Sequence, residues 1–120
     1  MISPESKSQY IQQVTNAKVD LNTTNLTTIY TAPSGDEFDF TIIESILVCD
    51  HDNQQTNVDL SITSGSDVFH IFKQHNITAH ATDELLTRDL VLKAGEILKA
   101  QANHANLNIV VSLVEYAKGD

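Results

Sequence analysis

Leu107-Asn108-Ile109-Val110-Val111-Ser112-Leu113-Val114 decides the fold class of this chain. Leu107, Ile109, Val111 and Leu113 occupy one set of alternate positions, and Asn108, Val110, Ser112 and Val114 the other. A period of two places successive side chains on opposite faces of an extended backbone, so this is a strand with one fully apolar face. The second face is half apolar. A face of that kind can be covered by a neighbouring chain or by a loop.

The same alternation runs outward from this strand. Val58, Leu60 and Ile62 alternate with Asn57, Asp59 and Ser61. Phe38, Phe40 and Ile42 alternate with Asp39 and Thr41. There the phase slips to Ile43 and resumes through Ile46 and Val48, which predicts a bulge or bend. Residues 26–31 are rich in Thr, Ile and Tyr, which favour strands. Residues 68–79, Leu90-Val91-Leu92 and residues 97–102 add further β-prone runs.

Turn chemistry separates them. Pro33-Ser34-Gly35-Asp36 presets φ at Pro and tolerates φ > 0 at Gly. Asp50-His51-Asp52-Asn53 reads as a polar loop tip, and Ser64-Gly65-Ser66-Asp67 as the close of a hairpin. Ala94-Gly95-Glu96 and residues 103–106 are the remaining turns. About seven or eight short strands at this spacing predict an all-β fold, a single antiparallel β-sandwich. Two segments admit a helical alternative. Residues 9–19 carry a weak helical period through Tyr10, Val14 and Ala17, and residues 82–89 offer Thr82 or Asp83 as a cap. The first is read as extended. Residues 1–25 are therefore expected to form an N-terminal arm or first strand, and residues 26–120 the sandwich. No long amphipathic helix is present, so α/β layering is not expected.

With 120 residues, 41% of them hydrophobic and 19% charged, the chain has the size and composition of one globular domain. Sixteen acids against seven bases give a net charge of −9. Phosphate backbones repel such a surface and no basic stripe is visible, so nucleic acid is not an expected partner. The single cysteine, Cys49, excludes an intramolecular disulfide and a multi-Cys zinc site. Its neighbours Ile46-Leu47-Val48 predict a buried, inert thiol. No apolar stretch has the length of a membrane-spanning helix, so no membrane partner is expected. Residues 1–9 are polar and lack the apolar centre of a signal peptide, which implies synthesis in the cytoplasm. The sequons at Asn22, Asn25 and Asn76 then read as chance products of an Asn- and Thr-rich composition.

Candidate chemistry is sparse. Asp50-His51-Asp52 contains legitimate metal ligands, yet adjacent turn residues rarely converge on one ion, and the calcium-loop pattern is missing. His70, His75 and His80 recur every five residues, which puts successive members on opposite faces of a regular strand. Only a trimer that brings the same His from each chain to one axis would make a metal geometry of them. Ser64-Gly65-Ser66 lacks the frame of a nucleophile elbow, and Pro33-Ser34-Gly35 lacks the Lys of a phosphate loop. No carboxylate pair sits in the apolar setting that acid–base catalysis needs. The expectation is an absence of catalytic, cofactor-binding and metal-binding residues. The aromatics Tyr10, Tyr30, Phe38, Phe40, Phe69, Phe72 and Tyr116 mostly follow strand alternation and read as core.

Larger blocks of the chain carry a resemblance. Leu26-Thr27-Thr28-Ile29-Tyr30-Thr31-Ala32-Pro33-Ser34-Gly35 precedes a strand through Cys49, the polar turn Asp50-His51-Asp52-Asn53 and a strand Val58-Asp59-Leu60-Ser61-Ile62. Leu90-Val91-Leu92-Lys93-Ala94-Gly95-Glu96-Ile97-Leu98 then leads to the last strand. This order resembles small virion structural proteins of tailed bacteriophages, over residues 26–116. The resemblance implies a β-sandwich or jelly roll that works without catalysis, resides in the virion and self-associates as a homotrimer. It also implies a capsid decoration or cement role, with the major capsid protein as partner and residues before Leu26 reaching onto a neighbour. A tail, neck or fibre-adaptor component is the alternative, with a surface receptor- or sugar-binding module behind it.

Overall fold

Alternation makes each strand two-faced, and two sheets that bury their apolar faces against each other are the stable answer. The computed structural model describes residues 10–118 and has that arrangement. Nine strands and no helix are present among the described residues. They are β1 (Tyr10–Leu21), β2 (Thr27–Thr31), β3 (Phe38–Asp50), β4 (Thr56–Ser64), β5 (Asp67–Ile77), β6 (Thr82–Glu84), β7 (Leu90–Lys93), β8 (Ile97–Ala102) and β9 (Leu107–Lys118).

One antiparallel sheet has the order β1-β9-β3-β6, with β7 pairing the same strand β3 beyond β6. The other has the order β2-β8-β4-β5. With β6 and β7 taken as one interrupted strand, the partners nest: β4 with β5, β3 with β6 and β7, β2 with β8, β1 with β9. A long hairpin ribbon rolled into two sheets has this topology, which is the jelly roll.

The core lies between the sheets and is aliphatic. Ile43, Ile46 and Val48 of β3, Leu60 of β4, Leu98 of β8, and Ile109, Val111 and Leu113 of β9 are essentially inaccessible. The phase slip read in the third strand is a real bulge. Ser112 pairs with Ser45 and Leu113 with Ile43, so Glu44 is the extra residue. The bulge returns Ile46 and Val48 to the core face after Ile43.

Several local expectations need correction. Residues 82–89 form the short strand β6 and a loop, not a helical turn, because Thr82, Asp83 and Glu84 pair with Cys49, Val48 and Leu47. Residues 10–21 are strand, in agreement with the extended reading and against their weak helical period, since β9 pairs with them at every position. Residues 1–9, part of the expected arm, lie outside the described residues. Cys49 is half-buried on the outer face, because alternation from the core residue Val48 turns it outward. The aromatic side chains divide: Tyr30, Phe38 and Phe72 are half-buried and pack against the core, and others lie outside it. Phe69 is 59% exposed, and Phe40 stacks on Tyr116 with ring centroids 4.7 Å apart. Phe40 and Tyr116 pair in register three positions beyond the core pair Ile43–Leu113 of β3 and β9, on the outer face.

The β4–β5 hairpin closes with two residues, Gly65-Ser66, between paired Ser64 and Asp67. Gly65 has φ +62, and a glycine with positive φ at the first central position is the type II′ signature. Gly65→Ala is expected to destabilise the protein by roughly 1 kcal/mol, since Ala disfavours that φ. Urea denaturation checks this, with an unchanged midpoint as the contrary result.

Candidate assembly surfaces

Strand alternation sends the loops at residues 22–26, 51–55, 78–81 and 103–106 to one end of the sandwich. They are tied by hydrogen bonds. Asp50 N–H donates to Ala81 O at 2.9 Å and His51 N–H to Asn106 O at 3.1 Å. Asn106 is the hub: its Nδ2 donates to Asp50 Oδ1 at 3.1 Å and to Gln54 O at 3.0 Å, and its Oδ1 accepts from the Thr56 hydroxyl at 2.7 Å. Asp50, Thr56 and Asn106 are all buried.

The three residues of Asp50-His51-Asp52 part company. Asp50 closes β3 as a fully buried residue, and its Oδ2 is buried without a hydrogen-bond partner. His51 is exposed and its Nε2 lies 3.7 Å from Asp20 Oδ1. Asp52 is exposed and donates its backbone N–H to Asp50 Oδ1 at 3.0 Å. Among the described residues no three His, Cys, Asp or Glu side chains gather as metal ligands.

The five-residue histidine series is also dispersed. His70 pairs with Ser61 on the outer face of its sheet. His75 pairs with the core residue Val58, tilts against Phe72 at 5.1 Å and reaches Asp83 Oδ2 at 3.6 Å. His80 lies in the next loop with φ +63, its Nε2 at 2.6 Å from Asn53 Oδ1. Ser64-Gly65-Ser66 is the hairpin turn, and Pro33-Ser34-Gly35 belongs to the β2–β3 connection.

Near the other end Tyr30 of β2 spans the two sheets. Its hydroxyl donates to Glu115 Oε2 at 2.6 Å and lies 2.8 Å from Thr41 Oγ1. Burial raises the Tyr30 pKa well above its ordinary value, and the hydrogen bond to Glu115 adds to that. A tyrosine whose folded pKa is raised contributes stability that is complete below the unfolded value of about 10 and is lost as pH rises beyond it. Wild type is therefore expected to lose stability above about pH 10 more steeply than Tyr30→Phe, as thermal melts across pH would show. Equal pH profiles for the two proteins would remove this strut from the account.

The outer face of the five-stranded sheet is where register matters most. Val14, Val114, Ile42 and Val91 pair in sequence across β1, β9, β3 and β7. Each is offset by one residue from a core-facing neighbour, so this apolar row faces outward. Val14 is 78% and Val91 52% exposed, while Ile42 is half-buried and Val114, between them, is covered at 5%. A second row, toward the Asn106 end, reads Lys18, Val110, Leu47, Glu84. The Glu84 carboxylate accepts from the Ser45 hydroxyl and from Ile46 N–H and Leu86 N–H at 2.7 and 3.1 Å. Partial burial alone would raise its pKa, but these donors outweigh it and hold the carboxyl below its ordinary value. Only half of this face was visible beforehand, as Val110 and Val114 of one strand; its continuation across three more strands needed the register.

A smaller apolar site lies on the flank. Ile71 and Phe72 of β5 and Leu85, Leu86 and Leu90 around the β6–β7 loop line an open groove of about 280 Å³. Val68 and Phe69, both more than half exposed, stand nearby on the same edge strand. Together these surfaces offer apolar contact and backbone edges, which is equipment for binding protein surfaces.

No family model matches the chain, and no curated protein matches it. Solved structures do. A pentameric capsid protein isolated from metagenomic phage sequences superposes with TM-score 0.51 at 18% identity, over 96% of this chain and 71% of that one. Another structure of a pentameric capsid protein from metagenomic phage sequences gives 0.50 at 19% identity, over 88% of this chain. This chain spans 61% of its length. The structure of infectious bursal disease virus, Gx strain, gives 0.50 at 10% identity over 93% of this chain and 38% of the viral one. At these identities the likeness is one of fold, and the fold of this chain is the two-sheet β-sandwich found in those capsid proteins.

Proposed function

We propose that this chain is a non-enzymatic structural protein of a phage particle, and that it sits on the capsid shell as a decoration protein. The observation that carries the reading is the jelly-roll strand order of this chain, together with its likeness in fold to capsid proteins of phage origin. The surface supports it. Apolar residues on the outer sheet face and on the β5 flank are open to contact, as a part that binds flat protein surfaces requires. A net charge of −9 keeps such a part soluble before assembly and repels packaged nucleic acid. The major capsid protein is the expected partner, with a homotrimer as the unit that binds it and the virion as its place.

Copy number tests the reading. Purified full-length protein is mixed with capsids that lack decoration, and bound copies are counted after sedimentation. Decoration predicts saturation at hundreds of copies per particle, whereas a tail, neck or fibre-adaptor part is present in roughly 3 to 18 by symmetry. Absence of binding to the shell would overturn the capsid reading. A protein cut after Gln9 tests the contribution of residues 1–9 and leaves β1 whole; removal of 20 residues would also strip β9 of its partner strand.

A further inference from the structure

Four edges end the two sheets among the described residues, and three of them are guarded. β2 has five residues and a register shift between Thr28 and Tyr30. β5 has two register shifts, and within it Gln74 takes φ +56 and donates its N–H to Asp59 Oδ1 at 2.6 Å. β6 and β7 have three and four residues with a loop between them. Shortness, bulges and interruptions are devices that stop an edge from pairing with another chain. β1 has none of them. It runs for twelve residues without Pro and pairs with β9 at every position with no shift. Its single lysine, Lys18, is turned to the outer face, whereas a charge that blocks pairing points inward. The edge of β1 away from β9 has no strand beside it among the described residues. We propose that this edge pairs, antiparallel, with β1 of a second copy of the chain and joins the two five-stranded sheets edge to edge.

A second copy is the occupant because an open edge is matched by another open edge of the same length, and each copy brings one. The guards on β2, β5, β6 and β7 exclude the other edges of this chain as the match. Pairing of β1 with itself is isologous, so it closes at two copies and leaves no free β1 edge to propagate.

Strand geometry sets the register. A two-fold axis normal to the sheet keeps the inner faces of both copies on one side, so residues of like parity lie opposite each other. Overlap is greatest when the axis passes through Thr15 or Asn16. At Thr15, Ile11, which is 62% exposed, comes opposite half-buried Val19; at Asn16 it would come opposite Leu21, which the core already covers. The Thr15 register is therefore the one assigned. Lys18 then lies opposite Gln12, and no like charges meet across the pair. About eleven paired residues make about ten backbone hydrogen bonds. At ~3.4 Å per residue and an edge ~10 Å deep, they cover on the order of 400 Å² per copy. That is below a standard interface, so the dimer is weak and depends on concentration. The homotrimer of the virion reading needs other surfaces, since this contact joins copies in pairs. The inference does not rest on that reading, and either can fail alone.

Two measurements on the full chain test it. Sedimentation equilibrium compares wild type with Thr15→Lys, which sets two ammonium groups across the axis, and with Val68→Lys on the guarded edge β5. Wild type and Val68→Lys are expected to form the same concentration-dependent dimer, and Thr15→Lys to raise its dissociation constant ~10-fold or more. Amide hydrogen exchange of wild type reads the backbone itself. Alternate N–H groups of β1, those pointing away from β9, are expected to exchange more slowly as concentration rises, with no such change in β5. If Thr15→Lys misfolds by circular dichroism, the exchange pattern decides. A wild type that stays monomeric to about 1 mM would overturn the proposal. So would any oligomer, whether dimer, trimer or pentamer, that a folded Thr15→Lys does not weaken or whose formation leaves the β1 amides unchanged.

Discussion

Asn106→Ala is expected to lower folding stability by about 3–5 kcal/mol, among the largest effects of any single polar substitution in this chain. The side chain makes three hydrogen bonds at one end of the sandwich, to Asp50, Gln54 and Thr56. Alanine removes all of them and leaves Asp50 and Thr56 buried without this partner. The most costly is Asp50, fully buried, whose Oδ2 already lacks a hydrogen-bond partner and whose Oδ1 would keep only the Asp52 N–H. A buried carboxyl group stripped of a donor is more destabilising than a hydrogen bond lost at the surface. Thr56→Val removes a buried hydroxyl that donates to Asn106 Oδ1 and, at 3.4 Å, lies against Gln54 O, and should cost about 1–2 kcal/mol. The double variant should cost less than the sum, because both substitutions act on one network. Urea denaturation of the three variants measures this. A loss under about 1 kcal/mol for Asn106→Ala would mean that the network contributes little to the fold.

Ile109→Ala should cost a comparable 2–5 kcal/mol and lower Tm by roughly 10–20 °C for a domain of this size. Ile109 is 1% exposed on the central strand β9, paired with Val19 on one side and Val48 on the other. Its removal leaves a cavity between two sheets whose backbones are held apart by neighbouring side chains, so collapse is limited. Val14→Ala is the control. It removes a β-branched side chain of the same sheet at 78% exposure and should fall within about 0.5 kcal/mol of wild type. Similar losses at both positions would contradict the assignment of inner and outer faces.

Much of the fold was readable from local pattern. Leu107, Ile109, Val111 and Leu113 alternate, and they are core. The phase slip after Ile42 is the Glu44 bulge, and Gly65-Ser66 is a hairpin turn. Each of these follows from neighbours within a few residues. The failures share a cause. Cys49 and Asp50 were read from composition, as buried thiol and solvated loop, and the structure reverses the inward member of the pair. Alternation from Val48 fixes which of the two turns inward, and the Asn106 hub supplies the partners that let a carboxylate go there. Asn106 lies 56 positions away, so nothing local announces it. Of the aromatics read as core, Tyr30, Phe38 and Phe72 do pack against it, whereas Phe40, Phe69 and Tyr116 lie outside it for a related reason. Strand alternation marks a face, while burial of that face depends on whether the opposite sheet extends over it.

The sequence by itself determined the all-β class, the turn positions, the bulge and one apolar face per strand, because backbone stereochemistry and the two-residue period act over short range. Tertiary structure decided the rest: which strands are neighbours, and which residues share a row, as Val14, Val114, Ile42 and Val91 do across four strands. Register is a relation between segments up to a hundred residues apart, set by the packing of all nine strands at once, and only the assembled sheets express it.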